Sequence, residues 1–228
     1  MTRHALCLLS LLSACQTGQP TVVDVQVWGS LHSMMQEGSS GPAVGLETLL
    51  PDSDLWAVGA LSGLRGEITV LGGEAYLSYP SRTDAVSESR EQAALLVASR
   101  VQGWTGFTVE EPVDLEALGS LLRSRSLSEP VPFRVEGPVR ELGWHVIDGL
   151  RLPPGASSPA MHRQASVLHE MVEGEAELLG FYSTSHGGVF THMGSDLHVH
   201  CVVPDPLSSG HVDRVTILPG AMVYLPSN

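Results

Sequence analysis

The sequence predicts an α+β fold that is mainly β, with two packed β-rich subdomains: a mixed sheet, then a small barrel-like C-terminal half that carries a metal site. Three observations lead there. Short β-branched runs recur between Gly and Pro turns along the whole chain. Only a few short stretches place apolar residues at helical spacing. Near the end, His198-Val199-His200 is followed, after ten intervening residues, by His211.

Taken in order, residues 1–15 read as an export signal: Arg3 and His4, an apolar run from Ala5 to Leu12, then Leu12-Ser13-Ala14-Cys15. This last group resembles the bacterial lipobox, which implies lipidation of Cys15, a membrane anchor through that lipid and a place in the cell envelope, periplasmic or surface. Cleavage there removes Cys7 and leaves Cys201 as the only unmodified thiol, so no intramolecular disulfide is expected. Residues 16–28 read as a tether, 29–132 as the N-terminal β-rich half and 133–228 as the C-terminal metal-binding half. Within the first half, Ser30 to Glu37 has helical spacing at Leu31, Met34 and Met35, and Gly45 to Leu50 reads as a second short helix. Leu55 to Gly59, Glu67 to Leu71 and Glu74 to Tyr79 read as strands, with Ser62-Gly63-Leu64-Arg65-Gly66 as a turn. Leu95 to Arg100 and Phe107 to Val109 are further strands, and Leu115 to Arg123 is an amphipathic helix. Val131 to Val135, Val139 to Val146 and Glu177 to Tyr182 add β structure, and His162 and His169 fall on a short helix.

The chain carries a net charge of −13, and its twelve basic residues are all arginine. Nucleic acid is therefore not an expected partner, because phosphate binding needs basic patches. An acidic substrate would need a local cation, and a bound metal provides one.

The segment Asp196 to Val203 has the β-branched character of a strand, so His198 and His200 share one face. Pro204-Asp205-Pro206 breaks it, Ser208-Ser209-Gly210 reads as a flexible turn, and His211 to Ile217 returns. Such a hairpin brings His211 to the other two, and three ligands with an open fourth position are the usual composition of a catalytic zinc site. Cys201 points away from them and reads as a core residue. His186 and His192 lie in a Gly-rich loop before the trio and read as loop residues.

Four segments together resemble the α-acetolactate decarboxylases, a family of zinc enzymes: Gly29 to Met35 with Val44 to Leu50; Leu61 to Gly73; Gly174 to Ser183; and His198-Val199-His200 through Ser209-Gly210-His211-Val212. The resemblance implies Zn2+ on His198, His200 and His211, with Glu67 beside the metal. It implies decarboxylation of a small hydroxy-keto acid, 2-acetolactate, to acetoin and carbon dioxide through an enediolate stabilised by the metal. It also implies a homodimer. Two positions depart from the family. Its arginine, expected to contact the substrate carboxylate or handle the proton, falls at His145, with Arg140 and Arg151 as nearby candidates to supply the charge. Its glutamate near the C-terminus has no counterpart in Leu218 to Asn228. Glu67 and His145 are therefore the acid–base candidates. These departures, together with export, support an alternative: a lipid-anchored zinc- or ligand-binding relative that does not catalyse. Zinc-dependent hydrolysis ranks last, since no His-Glu-x-x-His helix is present.

Overall fold

A computed structural model describes residues 24–125, 129–153, 156 and 158–227 of the chain. The export signal and Cys15 lie outside the described residues. Among these residues, no helix is long and apolar enough to cross a membrane.

The first sheet has six strands: β1 (Val25–Trp28), β2 (Val44–Gly45), β3 (Leu55–Leu61), β4 (Glu67–Leu71), β5 (Glu74–Ser78) and β6 (Gln92–Arg100), in the order β1-β6-β3-β4-β5 with β2 also on β6. The second has seven: β7 (Trp104–Thr108), β8 (Val113–Asp114), β9 (Val131–Val146), β10 (Val167–Tyr182), β11 (Leu197–Pro204), β12 (Leu207–Ile217) and β13 (Met222–Pro226). Helices α1 (Leu31–Gln36), α2 (Leu115–Arg125) and α3 (Pro159–Ala165) lie between them in the chain. The fold is α+β and mainly β, as the sequence predicts. Strand β9 pairs with both β10 and β12, and β11 joins those two, so β9-β10-β11-β12 closes into a small barrel.

Several boundaries differ from the sequence reading. Val25–Trp28, expected within the tether, pairs with β6 as an edge strand, burying Val27 and Trp28 partly against the first sheet. The first half ends near Arg100 rather than residue 132, because β7 pairs with β13, β8 pairs with β12, and α2 inserts Leu118 and Leu122 into the barrel core. All pairings between named strands are antiparallel, so the first sheet is antiparallel rather than mixed. β9 runs unbroken through Gly137-Pro138, where two strands were expected, and β10 reaches back to Val167 and takes His169 out of the predicted helix.

Local chemistry explains the elements that frame the site. The Ser30 side chain caps α1 by accepting from the Ser33 N–H at 3.1 Å. Asp114 does the same for α2 through Ala117 N at 2.8 Å. At the turn into β4, a Cβ on Gly66 would lie 2.0 Å from the Ser78 carbonyl oxygen, so only glycine allows Glu67 to start its strand there.

Alternation along the strands then divides the barrel. Val199, Cys201 and Leu178 point into its apolar interior. His198, His200, Leu179 and Phe181 occupy the other face, where Leu179 and Phe181 pack on Trp56, Val58 and Val97 of the first sheet. Truncating Phe181 to alanine in this seam would cost roughly 3–5 kcal/mol.

Candidate metal centre

The β11–β12 hairpin turns at Asp205-Pro206, with Pro204 opposite Leu207. Ser208-Ser209-Gly210 is therefore strand rather than flexible turn, and this tight closure places His200 directly opposite His211. On the far side of β12, His211 is directly opposite His145. Three adjacent strands thus carry a lateral row, His200–His211–His145, and His198 joins it two residues before His200. Ring centroids of His198 and His211 are 5.0 Å apart, and those of His145 and His211 are 4.8 Å apart.

Each of His198, His200 and His211 offers a nitrogen, all within 4.8 Å of one another. The Nε2 atoms of His198 and His200 are 3.2 Å apart. Two nitrogens about 2.0–2.1 Å from a tetrahedral zinc ion would be separated by roughly 3.3 Å, so the spacing fits a shared cation. Burial drives all three imidazoles toward the neutral, ligating form: His198 is pushed down to about 3, and His200 and His211 well below the ordinary histidine value. Nδ1 of His198 is buried and has no hydrogen-bond partner among the described residues. These observations show that the three histidines can hold a metal ion.

The first sheet completes the centre. Glu67 and Thr69 are two apart on β4 and face the barrel together, while Ile68 between them enters the core of the first sheet. Glu67 Oε2 lies 3.9 Å from His200 Nε2, and Oε1 accepts from Ile147 N at 3.1 Å. Desolvation pushes the Glu67 carboxyl up to about 7, against the pull of His145 and the Ile147 N–H. Thr69 Oγ1 lies 3.1 Å from His200 Nδ1 and 2.8 Å from Ser209 Oγ.

His145 Nδ1 is 2.9 Å from Asp213 Oδ2, and Arg163 Nη2 from α3 is 3.4 Å from Asp213 Oδ1. Burial lowers the His145 pKa, but the Asp213 hydrogen bond and the charges of Glu67 and Asp213 outweigh it, and the net shift is upward. Burial likewise opposes ionisation of Asp213, yet its bond to His145 and the nearby arginines hold its carboxyl below the usual range.

Sequence reasoning missed Asp213, Arg163 and Thr69. Asp213 carried a signal, since it lies two residues past His211 on the same strand and so faces the same way. Neither Arg140 nor Arg151 lines the two cavities at this site, whereas Arg163 lines the larger one. His192, read as a loop residue, also lines the site, with its ring 5.5 Å from that of His211. His162 lines it too. His186 does not. It bonds Ser183 Oγ at 2.8 Å and stacks on Phe190, holding the loop. His169 stacks on Trp144 outside the centre. Among the described residues, none of 218–227 lines the cavities.

A small chamber of about 70 Å³ is lined by Glu67, His145, His198 and His211 together with apolar Met34, Ala60, Leu64 and Leu95. It adjoins an open cleft of about 1400 Å³, which shares His145 and His211 with it.

A closed antiparallel barrel packed on a second sheet, with a buried imidazole trio at the seam, defines a β protein built around a site that could hold a metal ion. The profile of the alpha-acetolactate decarboxylases matches residues 29–225, and the chain belongs to that family. Among solved structures, it superposes on alpha-acetolactate decarboxylase from Bacillus subtilis strain 168 with a TM-score of 0.74 at 14% identity, covering 90% of this chain and 86% of that one. The enzyme from Bacillus subtilis subspecies spizizenii gives 0.75 at 13% identity, with 90% and 86% covered. A Staphylococcus aureus protein of unknown function, described as similar to alpha-acetolactate decarboxylase, gives 0.72 at 14% identity, with 88% and 84% covered. A comparison with curated proteins returns no sequence match. Family and fold support a decarboxylase-like function.

Proposed function

We propose that this chain is a zinc-dependent decarboxylase that converts 2-acetolactate to acetoin and carbon dioxide. The observation that carries the reading is the imidazole trio, with the Nε2 atoms of His198 and His200 3.2 Å apart, set beside Glu67 in a small pocket. An all-imidazole donor set suits zinc. Positive charge held there would stabilise the oxygen that gains electrons, an effect worth several kcal/mol.

The chain's own groups supply the rest. The Arg163 guanidinium, at the cleft and beside Asp213, meets the substrate carboxylate. When the carbon–carbon bond to the carboxylate breaks, carbon dioxide leaves and the electron pair moves onto the ketone oxygen. A proton must then reach carbon. His145 is placed to donate it, because Asp213 fixes Nδ1 and leaves Nε2 for the cavity. Glu67 has Oε1 occupied by Ile147 N–H, so Oε2 is the atom on which it holds or passes a proton near neutral pH. Apolar walls at Ala60, Leu64 and Leu95 take a methyl group and exclude water.

We further propose export, anchoring through a lipid on Cys15, and assembly as a homodimer. Purified protein loaded with zinc and given 2-acetolactate should release carbon dioxide and acetoin, and metal-loaded protein that fails to do so rejects the assignment. A second reading, a ligand-binding relative without catalysis, is favoured by His145, which stands where the family resemblance implies arginine. A His145→Arg variant that gains activity supports an altered enzyme. If neither form turns over yet 2-acetolactate raises the melting temperature of both, the binder is supported.

A further inference from the structure

The chamber and the cleft adjoin through shared imidazoles but differ greatly in size, about 70 Å³ against about 1400 Å³. The chamber has room beside the trio for one small alkyl group. The cleft exceeds the volumes of roughly 300–1,000 Å³ typical of pockets for drug-sized ligands.

Two glycines leave positions on its wall without side chains. Gly119 sits inside α2, where glycine weakens a helix relative to alanine. Nothing in the backbone demands it: its φ is not left-handed, and a Cβ there would meet only Leu197 Cδ1 at 3.8 Å, an ordinary contact. Gly187, which also lines the cleft, is likewise unforced, with only Met193 Sδ at 3.6 Å from its Cβ position. Side chains at both positions would project into the cleft region. Met193, 83% exposed, and Val189, 36% exposed, present apolar surface there. The loop that carries Val189 is tied to α1, with Leu31 N donating to Val189 O at 2.9 Å and His32 N to Gly188 O at 2.8 Å. On the α2 wall, Arg123 is paired with Asp196 at 2.7 Å and Glu116 adds a negative charge. With Arg163 reserved for the substrate carboxylate, an uncharged substituent fits this wall better than an anionic one.

We propose that the substrates of this site are 2-hydroxy-3-oxo acids with one small alkyl substituent in the chamber and one extended apolar substituent, alkyl or aryl, along the Gly119 wall. This rests on the decarboxylase reading and widens its substrate class beyond 2-acetolactate.

The test uses the full zinc-loaded chain and a series of 2-hydroxy-2-methyl-3-oxo acids whose acyl chain grows from methyl through butyl to octyl, with carbon dioxide release as the readout. The expected result is a kcat/KM that rises roughly 10-fold or more from methyl to octyl. In Gly119→Phe the octyl-to-methyl ratio should fall toward one, and Gly187→Leu provides the same test if the first variant does not fold. Independently of turnover, the neutral long-chain 2-hydroxyketone product should raise the melting temperature more than acetoin does in wild type, and lose that advantage in Gly119→Phe. Turnover of 2-acetolactate with a flat or falling rate along the series overturns the proposal and leaves the decarboxylase reading intact. If no acid is turned over by metal-loaded protein, the decarboxylase reading falls, and equal melting shifts from short and long products then reject the cleft assignment as well.

Discussion

Thr69 Oγ1 lies 3.1 Å from His200 Nδ1, joining a residue of the first sheet to a metal-ligand candidate 131 residues later in the chain. The hydroxyl also meets Ser209 Oγ, so His200 has its Nδ1 engaged and its Nε2 directed at the centre. Partners of this kind fix the tautomer of a ligating imidazole, and their loss typically costs 10–100-fold in metal affinity. Thr69→Val should weaken zinc binding by roughly that factor, measured by competition with a chromophoric chelator, while Thr69→Ser restores it. Equal affinity in all three proteins would show that the hydroxyl does not orient the ring.

His211→Ala removes the ligand at the middle of the lateral row. Elemental analysis of the purified variant should find less than one tenth of the wild-type metal, on the order of the loss expected when a three-ligand site drops to two. Far-ultraviolet circular dichroism should be unchanged, because the side chain faces the cavity and not the barrel core.

Acid should destabilise the metal-free protein through the trio. His198, His200 and His211 have folded-state pKa values below that of an unfolded histidine, so the unfolded chain binds protons first as pH falls. Their contribution is fully present above about 6.5 and is lost as pH drops below it, by up to about 1.4 kcal/mol per pH unit for each histidine. Urea melts of chelator-treated protein at pH 7.5 and 5.5 read this directly, and a midpoint that does not fall at the lower pH contradicts it.

Glu67 works in the opposite sense. Its folded-state pKa, about 7, lies above the ordinary carboxyl value of 4.5, so the folded state holds the proton longer, and stability is lost as pH rises between those two values. Glu67→Gln keeps an acceptor for Ile147 N–H but cannot ionise. In metal-free protein it should gain stability relative to wild type as pH goes from 5 to 8, a trend that paired denaturation curves can confirm or reject.

Asp213→Asn leaves His145 without its charged partner and frees Arg163. The proposed chemistry then predicts a kcat reduced by roughly 10²–10⁴-fold, the range for impaired general acid–base catalysis, with zinc content unchanged. An intact kcat would remove His145 from the proton path.

Much of the centre is legible in the sequence because it is local. His198 and His200 alternate on one strand, a tight hairpin returns His211, and alternation assigns Cys201 to the core. What escapes is whatever depends on contacts between distant strands. Thr69 and Asp213 look like ordinary strand residues until β4 docks on the barrel and β12 pairs with β9. Closure of the barrel is equally hidden, because β9 must pair with two partners. Its Gly137-Pro138 step reads as a break, yet the ladder with β10 continues across it. The outer part of β10 puts apolar Leu168 and Val172 on its exposed face and His169 on the half-buried one, so its sequence lacks the plain alternation that identifies a strand. Arg163 lies on a seven-residue helix whose position is set by packing and not by its own pattern.

Because the barrel is a closed hoop, the strands that bear His200 and His211 each have a bonded neighbour on both sides or lie against the first sheet. Neither can fray alone. Amide protons of these residues should therefore exchange only when the whole hoop opens, so the frame that carries the imidazoles stays fixed while ions and small molecules come and go at its outer face.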